Sequence, residues 1–193
     1  MFTGIISATS KITKKEFKND SLFLTIKKPT GWKIKCGDSI ATNGACLTVK
    51  KILKDAYLTE LMPETRDKTY FEKMNLEFVN LERSLKLSDR LGGHFVTGHV
   101  DAMGKIIDLK KRGKSLVFKI SFPKKFAKYV AEKGSITIDG ISLTVVDVGV
   151  NWFTVSLVEY TLIHTTLGMK KKTDLVHLEF DILAKYIEKQ LKN

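Results

Sequence analysis

The chain repeats itself. Residues 37–49 read GDSIATNGACLTV, and residues 134–145 read GSITIDGISLTV. Laying Gly44 on Gly140 places Leu47, Thr48 and Val49 on Leu143, Thr144 and Val145, Leu61 on Leu157, and Thr65 on Thr161. Thr3-Gly4-Ile5 answers Thr97-Gly98-His99, and Val79-Asn80-Leu81-Glu82 answers Val176-His177-Leu178-Glu179. The offsets of 94, 96 and 97 drift by only a few residues along the whole chain, which marks a duplicated domain. Two units of about 95 residues are each long enough to bury a core.

Strand signals dominate each unit. Residues 21–26 and 116–120 are short, β-rich and apolar, and they end near Pro29 and Pro123. Residues 40–49 and 136–148 are broken at Asn43-Gly44 and Asp139-Gly140, dipeptides that accept positive φ and form tight turns. Many short strands with glycine turns predict a small closed or nearly closed barrel in each half, since closure removes exposed edges. Helical signal is sparse. A short helix is predicted over 124–133, between Pro123 and Gly134, and an amphipathic one over 182–192, with Leu183, Ile187 and Leu191 at helical spacing. The latter has no counterpart after the first half, so it either packs on the barrel or joins subunits. Arg90-Leu91-Gly92-Gly93-His94 reads as the crossover, because paired glycines break both periodicities.

Composition narrows the function class. Hydrophobic residues make up 43% of the chain, with three prolines and no low-complexity stretch, as in a globular protein. No apolar run is long enough to span a bilayer. The N-terminus MFTGIISATSK lacks a basic region followed by an apolar core. Cys36 and Cys46 show no metal-ligand spacing, and two reduced thiols point to the cytoplasm. The net charge of +12 invites a nucleic-acid reading. However, the lysines are scattered, the densest run (residues 170–172) falls in a turn, and no aromatics alternate with them, so a solvated lysine-rich surface is favoured. Such a field still attracts anionic small molecules.

The chemistry-bearing residues sit on the repeat. Alternate side chains of a strand face opposite sides, so Cys46 and Thr48 share one face, and Ser142 and Thr144 share the matching face of the copy. Leu47, Val49, Leu143 and Val145 then fill the cores. Cys46 against Ser142 is a divergence that matters, because an ionised thiol is much the better nucleophile. His94 and His99 stand five residues apart, and His99 occupies the position that Ile5 holds in the first half, as a specialised copy would. Asp101 could orient His99 or simply form a turn. Asp181 reads locally as the N-cap of the last helix, and it also stands at a barrel rim. Lys133 is either a helix C-terminal cation or an anion contact. No Walker loop, Rossmann fingerprint, HExxH or nucleophile elbow is present, which counts against nucleotide- and metal-dependent enzymes.

Taken in order, MFTGII, GDSIATNGACLTV, LMPET, VNLERSL, GGHFVTGHVD, KGSITIDGISLTV, HTTLG and VHLEFD closely resemble riboflavin synthases of the duplicated, lumazine-binding type, over nearly the full chain. The resemblance implies an all-β fold of two tandem six-stranded Greek-key barrels, residues 1–95 and 96–181, plus a C-terminal helix, residues 182–193, that joins a homotrimer. It implies a transferase that moves a four-carbon unit between two molecules of 6,7-dimethyl-8-ribityllumazine, with no metal and no redox cofactor. Each active site would lie between the first barrel of one subunit and the second barrel of another. Partners would be the small-molecule substrate and other copies of the chain, with neither nucleic acid nor membrane. Association with lumazine synthase is left open.

Carried over by position, the first pocket would use Phe2, Gly4, Ile5, Ile6, Ser39, Cys46, Leu47 and Thr48, with Glu60, Leu61, Met62, Pro63, Glu64 and Thr65. The second would use Gly98, His99, Val100, Lys133, Ser142, Leu143 and Thr144, with Ser156, Leu157, Val158, Glu159, Tyr160 and Thr161. The implied catalytic set is Cys46, His99, Ser142, Thr144 and Asp181. His99, Ser142 and Thr144 would manage proton transfer, and Cys46 or a water would supply the nucleophile. Two departures stand out. Glu159-Tyr160 occupies a place where the family usually has proline before His or Glu, and LMPETRDKTYF lacks the usual leucine and asparagine-leucine-glycine that follow. The alternatives are a non-catalytic lumazine- or flavin-binding protein on the same fold and, well behind, a basic oligonucleotide-binding barrel. Retention of Cys46, His99, Ser142 and Thr144 together argues for the enzyme.

Overall fold

The computed structural model of the protein describes residues 1–191. Six strands form the first barrel: β1 (Ala8–Lys18), β2 (Ser21–Lys27), β3 (Ser39–Thr42), β4 (Ala45–Ile52), β5 (Ala56–Leu61) and β6 (Phe78–Arg83). Six more form the second: β7 (Ala102–Arg112), β8 (Ser115–Ser121), β9 (Ser135–Ile138), β10 (Ile141–Val148), β11 (Trp152–Leu157) and β12 (Leu175–Phe180). Both barrels are closed, with the order β1-β2-β5-β4-β3-β6 in the first and the same order, β7-β8-β11-β10-β9-β12, in the second. Every pairing is antiparallel. Register breaks recur at matching places, after Ile12, Val49, Ile106 and Val145. An extra residue there bends each strand enough to close so small a barrel.

Period-two burial builds both cores. Leu22, Leu24, Ile26, Leu47, Val49, Tyr57, Leu61, Val79 and Leu81 fill the first barrel, and Ile106, Phe118, Ile120, Ile136, Ile138, Val145, Phe153, Val155 and Phe180 fill the second. The two glycine turns meet back to back. Asn43 and Gly44 (φ 42° and 82°) match Asp139 and Gly140 (φ 47° and 82°), the geometry that only such pairs accept cheaply. A Cβ added to Gly44 would lie 2.7 Å from the Gly140 nitrogen. The pseudo-twofold axis of the duplication therefore runs between two glycines.

The helices differ from the expected set. The segment predicted over 124–133 is a 3-10 turn, Lys124–Tyr129, and the chain extends again at Val130. Phe126 stacks on Phe180 at 5.0 Å and Tyr129 lies 6.1 Å from the same ring, so the turn is shaped to cover the barrel end. Lys133 is thus no helix terminus: it is a turn residue with φ 64° whose amide donates to the Val145 carbonyl. Two short helices that strand patterning concealed, α1 (Pro63–Lys68) and α2 (Glu159–His164), occupy matching positions after β5 and β11. The last helix, α3, runs Ile182–Gln190, while Lys192, placed within it by the sequence pattern, and Asn193 lie outside the described residues. No helix among the described residues is long and apolar enough to cross a membrane.

Candidate functional site

The two polar strand faces are where alternation placed them. On β4, Leu47 and Val49 are buried, whereas Cys46 is half-buried and Thr48 exposed. On β10, Ser142 is half-buried and Thr144 exposed, opposite the buried Val145. Each polar face is then completed from the other half of the chain. The Cys46 amide donates to the Gly98 carbonyl at 2.8 Å, and the Ser142 amide donates to the Gly4 carbonyl at 2.8 Å. Ile6 packs on the core of the second barrel and Val100 on that of the first. The expected grouping is corrected here. In the single chain, Gly98, His99 and Val100 line a cleft with Cys46, Glu64 and Thr65, while Gly4 and Ile6 belong with Ser142. Sequence offsets align equivalent residues, but they cannot reveal that the two arms swap barrels.

Buried carboxylates hold the arms in place. Glu82 accepts from the Thr3 amide and hydroxyl, both at 2.7 Å, and from the Gly4 amide at 3.0 Å. Glu179 repeats this with Thr97, 2.6 Å from amide and hydroxyl alike, and with the Gly98 amide at 3.0 Å. Burial pushes both carboxyl groups above the usual carboxylate range, and the hydrogen bonds oppose it. The repeat carried this signal in Thr-Gly and in the closing Glu, yet nothing local joined the two. Gly4 (φ 77°) and Gly98 (φ 78°) have no room for a side chain: a Cβ would sit 2.6 Å from the Cβ of Ser142 or Cys46.

The Cys46 cleft has a volume of about 410 Å³ and is also walled by Lys68, Thr69 and Asp101. His99 is exposed in it, its amide 3.3 Å from the Thr97 hydroxyl. Asp101 does not orient His99. Its carboxylate accepts from the Phe180 amide at 2.8 Å and pairs with Lys185 at 2.6 Å, tying α3 to the barrel. Phe2 is wholly buried, paired with Val96 and packed against Cys46, so it supports the cleft from behind. Leu61 and Leu157 are core residues with no surface to offer a ligand. Glu60 is engaged by Lys50, and Met62 and Pro63 are exposed at the start of α1. A larger cavity, about 770 Å³, adjoins Ser39 and Ile5 on the first barrel.

Around Ser142 the structure shows a residue whose importance the sequence left undecided. His94 Nδ1 lies 2.7 Å from the Ser142 hydroxyl, and His94 Nε2 lies 3.2 Å from the Thr137 hydroxyl. Burial lowers the His94 pKa, and the nearby Asp181 carboxylate works against that shift. A neutral imidazole accepting from Ser142 donates its other proton to Thr137. The crossover glycines make the approach feasible, since a Cβ on Gly93 would lie 2.8 Å from the Ser142 Cβ. Asp181 does cap α3, accepting from the Leu183 amide at 2.9 Å, while its charge reaches His94. Leu143 is half-buried on the second core and Lys133 exposed. Ser156, near the end of β11, and Val158, Glu159 and Tyr160 beyond it are exposed, Tyr160 is stacked on His164 at 4.0 Å, and the Thr161 carbonyl accepts from the Thr165 hydroxyl. The repeat counterparts of Ser142 and Thr137 are Cys46 and Ala41, so the two polar faces are alike in shape and unlike in chemistry.

Comparison with known proteins places this architecture. The Lumazine binding domain family model matches residues 3–84 and again 97–181. Riboflavin synthase of Mycobacterium tuberculosis (strain ATCC 25618 / H37Rv) is 43% identical over 199 residues, which span 100% of this chain and 99% of that one. The Photobacterium phosphoreum riboflavin synthase is 40% identical, covering 99% and 89%. That of Bacillus subtilis (strain 168) is 35% identical, covering 97% and 88%. Among solved structures, LumP complexed with riboflavin superposes with a TM-score of 0.86 over 93% of this chain and 99% of that one, at 23% identity. LumP complexed with 6,7-dimethyl-8-(1'-D-ribityl) lumazine gives 0.84 over 93% and 98%, also at 23% identity. At such identity the likeness is one of fold.

Proposed function

The chain belongs to the riboflavin synthase family, built on duplicated lumazine-binding domains, and we infer from this that it converts two molecules of 6,7-dimethyl-8-ribityllumazine into riboflavin and 5-amino-6-(D-ribitylamino)uracil. It is a transferase that moves a four-carbon unit from one substrate molecule to the other. Between them the two lumazines carry every atom of both products, so the balance calls for no further reactant. The observation that carries the reading is the 43% identity to a riboflavin synthase over the whole chain, laid on a fold that offers two repeat-related polar strand faces per chain. Holding two identical molecules in fixed orientation converts a bimolecular encounter into a nearly unimolecular one.

The residues divide the chemistry between them. A proton must leave the methyl group at C7 of one lumazine, and a nucleophile must add at C7 of the other. Ser142, with His94 neutral behind it, provides a hydroxyl-imidazole pair for the proton, and the Asp181 charge favours the imidazolium that results. Cys46, or a water beside it, provides the nucleophile, with His99 in the same cleft. Thr48 and Thr144 offer outward hydroxyls to the two rings. Leu183, Tyr186 and Ile187 of α3 are each more than half exposed, which supports a homotrimer in which the first barrel of one copy meets the second barrel of another. Two free thiols support a cytoplasmic setting. Incubation of the purified protein with the lumazine tests the reading. Riboflavin and the uracil should appear in equal amounts, and binding without conversion would instead indicate a carrier.

A further inference from the structure

The contact between the barrels holds a buried polar cluster that this chemistry leaves unused. The repeat lays Asn43 on Asp139, Asn80 on His177, Met74 on Lys170 and Tyr70 on Thr166, and the hydrogen bonds keep that symmetry. Asn43 Oδ1 accepts from the Asn80 amide at 2.7 Å, and Asp139 Oδ1 accepts from the His177 amide at 2.7 Å. Across the contact, Asn80 Nδ2 donates to the Asp139 carbonyl at 2.9 Å, and His177 Nδ1 lies 2.7 Å from the Asn43 carbonyl. Asn80 Oδ1 accepts from the Thr166 amide at 2.8 Å, and His177 Nε2 accepts from the Tyr70 amide at 2.9 Å. One half therefore does with an amide what the other does with an imidazole.

An asparagine does not titrate, whereas a histidine does, and here only one state fits. The carbonyl opposite Nδ1 requires a proton on that nitrogen, and the Tyr70 N–H opposite Nε2 requires a lone pair. Protonation would set N–H against N–H. The Tyr70 ring stacks on His177 at 3.7 Å and Phe71 meets it edge-on at 4.9 Å. Asp139 Oδ1 lies 4.0 Å from Nδ1, while the Lys170 ammonium sits 3.3 Å from Asp139 Oδ2 and 3.4 Å from the Tyr70 hydroxyl. Burial holds the imidazole pKa down to about 4, with Asp139 and the Asn43 carbonyl opposing that shift and Lys170 adding to it.

We propose that His177 is an acid-sensitive latch between the barrels: neutral, it ties Tyr70 and Asn43 of the first barrel to the second, and protonated it releases them. The latch reaches the functional site through the turns beside it. Gly44 and Gly140 pack back to back and lead directly to Cys46 and Ser142, whose amides are bonded to the opposite arms. Any sliding at the contact breaks those two bonds together, so His177 is a positioning residue for both faces.

The repeat itself supplies the test. His177→Asn copies Asn80, with Nδ2 for the Asn43 carbonyl and Oδ1 for the Tyr70 amide, and it has no proton to gain. Amide hydrogen exchange of Cys46 and Ser142, corrected for intrinsic rates, reads the latch without reference to turnover. In the wild type, protection should fall as pH drops below the pKa of an ordinary histidine, by roughly tenfold or more near pH 4.5, where the open state takes up the proton that burial denies the closed one. His177→Asn should hold its protection within about twofold over the same range, and His177→Ala should be poorly protected even near neutrality. Glu82 and Glu179, raised by burial, shift stability the other way, but equally in each variant. The double change Asp139→Asn with Lys170→Met, a copy of Asn43 and Met74, should keep the acid response. The proposal is overturned if His177→Asn loses protection like the wild type, if His177→Ala keeps it at neutral pH, or if the response vanishes in the double variant.

Discussion

The buried carboxylates that anchor the arms give the most exacting check of how the site is assembled, and Glu179 is the one to change. Its two oxygens take three donors, Thr97 amide and hydroxyl on Oε1 and the Gly98 amide on Oε2, in a position 3% exposed. In Glu179→Gln the remaining oxygen keeps the Thr97 pair, but the Gly98 N–H now faces an NH₂ group. A buried donor left unpaired costs about 1–3 kcal/mol. Against this, the amide is spared the desolvation that raises the pKa of Glu179, so the net loss should be about 1–2 kcal/mol. Glu179→Ala strands both amides and leaves a cavity under the arm, and should cost about 3–5 kcal/mol. Urea unfolding with an unchanged slope would measure both.

The pH dependence sets the sign. The folded pKa lies above the unfolded one, so protonation of Glu179 favours the folded state. Its contribution is full below the unfolded value of 4.5 and is lost as pH rises through the folded value. Relative to Glu179→Gln, the wild type should therefore gain most in acid and least at neutrality. A gap that widens with rising pH, or an alanine variant as stable as the wild type, would refute the reasoning. Turnover in Glu179→Ala should fall with the loosened Gly98–His99 arm, and Glu82→Ala should act the same way through Gly4 and Ser142.

Three further outcomes are expected. Ser142→Ala and His94→Gln should each lower riboflavin formation by roughly 10²-fold, and the double variant should be little worse than either, since the two act as one pair. Cys46→Ser should slow turnover by at least roughly tenfold if the thiol adds to the ring, and wild-type turnover would exclude that role. Gly140→Ala should lose about 3 kcal/mol of unfolding free energy in urea, because φ is 82° and the new Cβ would sit 2.8 Å from the Gly44 nitrogen. Gly31→Ala, with φ 77° but nothing within 4 Å, should lose only about 1 kcal/mol.

Much of this was legible along the chain. Period-two alternation names the outward Cys46, Thr48, Ser142 and Thr144 and the inward Val49 and Val145. The glycine dipeptides located the two turns, and Asp181 reads as the cap it is. The short helices α1 and α2 escaped notice because six residues leave no periodicity to detect. The predicted helix over 124–133 shrank to a 3-10 turn because Phe126 and Tyr129 are drawn onto Phe180 from across the barrel.

By itself the sequence determined the duplication, the alternation of the strands that carry the polar faces and the resemblance to a family, because each is written in spacing and residue type, which are local. Only the tertiary structure decided that the Gly4 and Gly98 arms trade barrels, that Glu82 and Glu179 fasten them, that His94 stands behind Ser142, and that His177 meets Tyr70 across the barrel contact. Those contacts join residues from 48 positions apart, His94 and Ser142, to 138, Gly4 and Ser142. Their energy comes from burying polar groups that only a closed pair of barrels brings within hydrogen-bond distance, and no local pattern along the chain encodes that meeting.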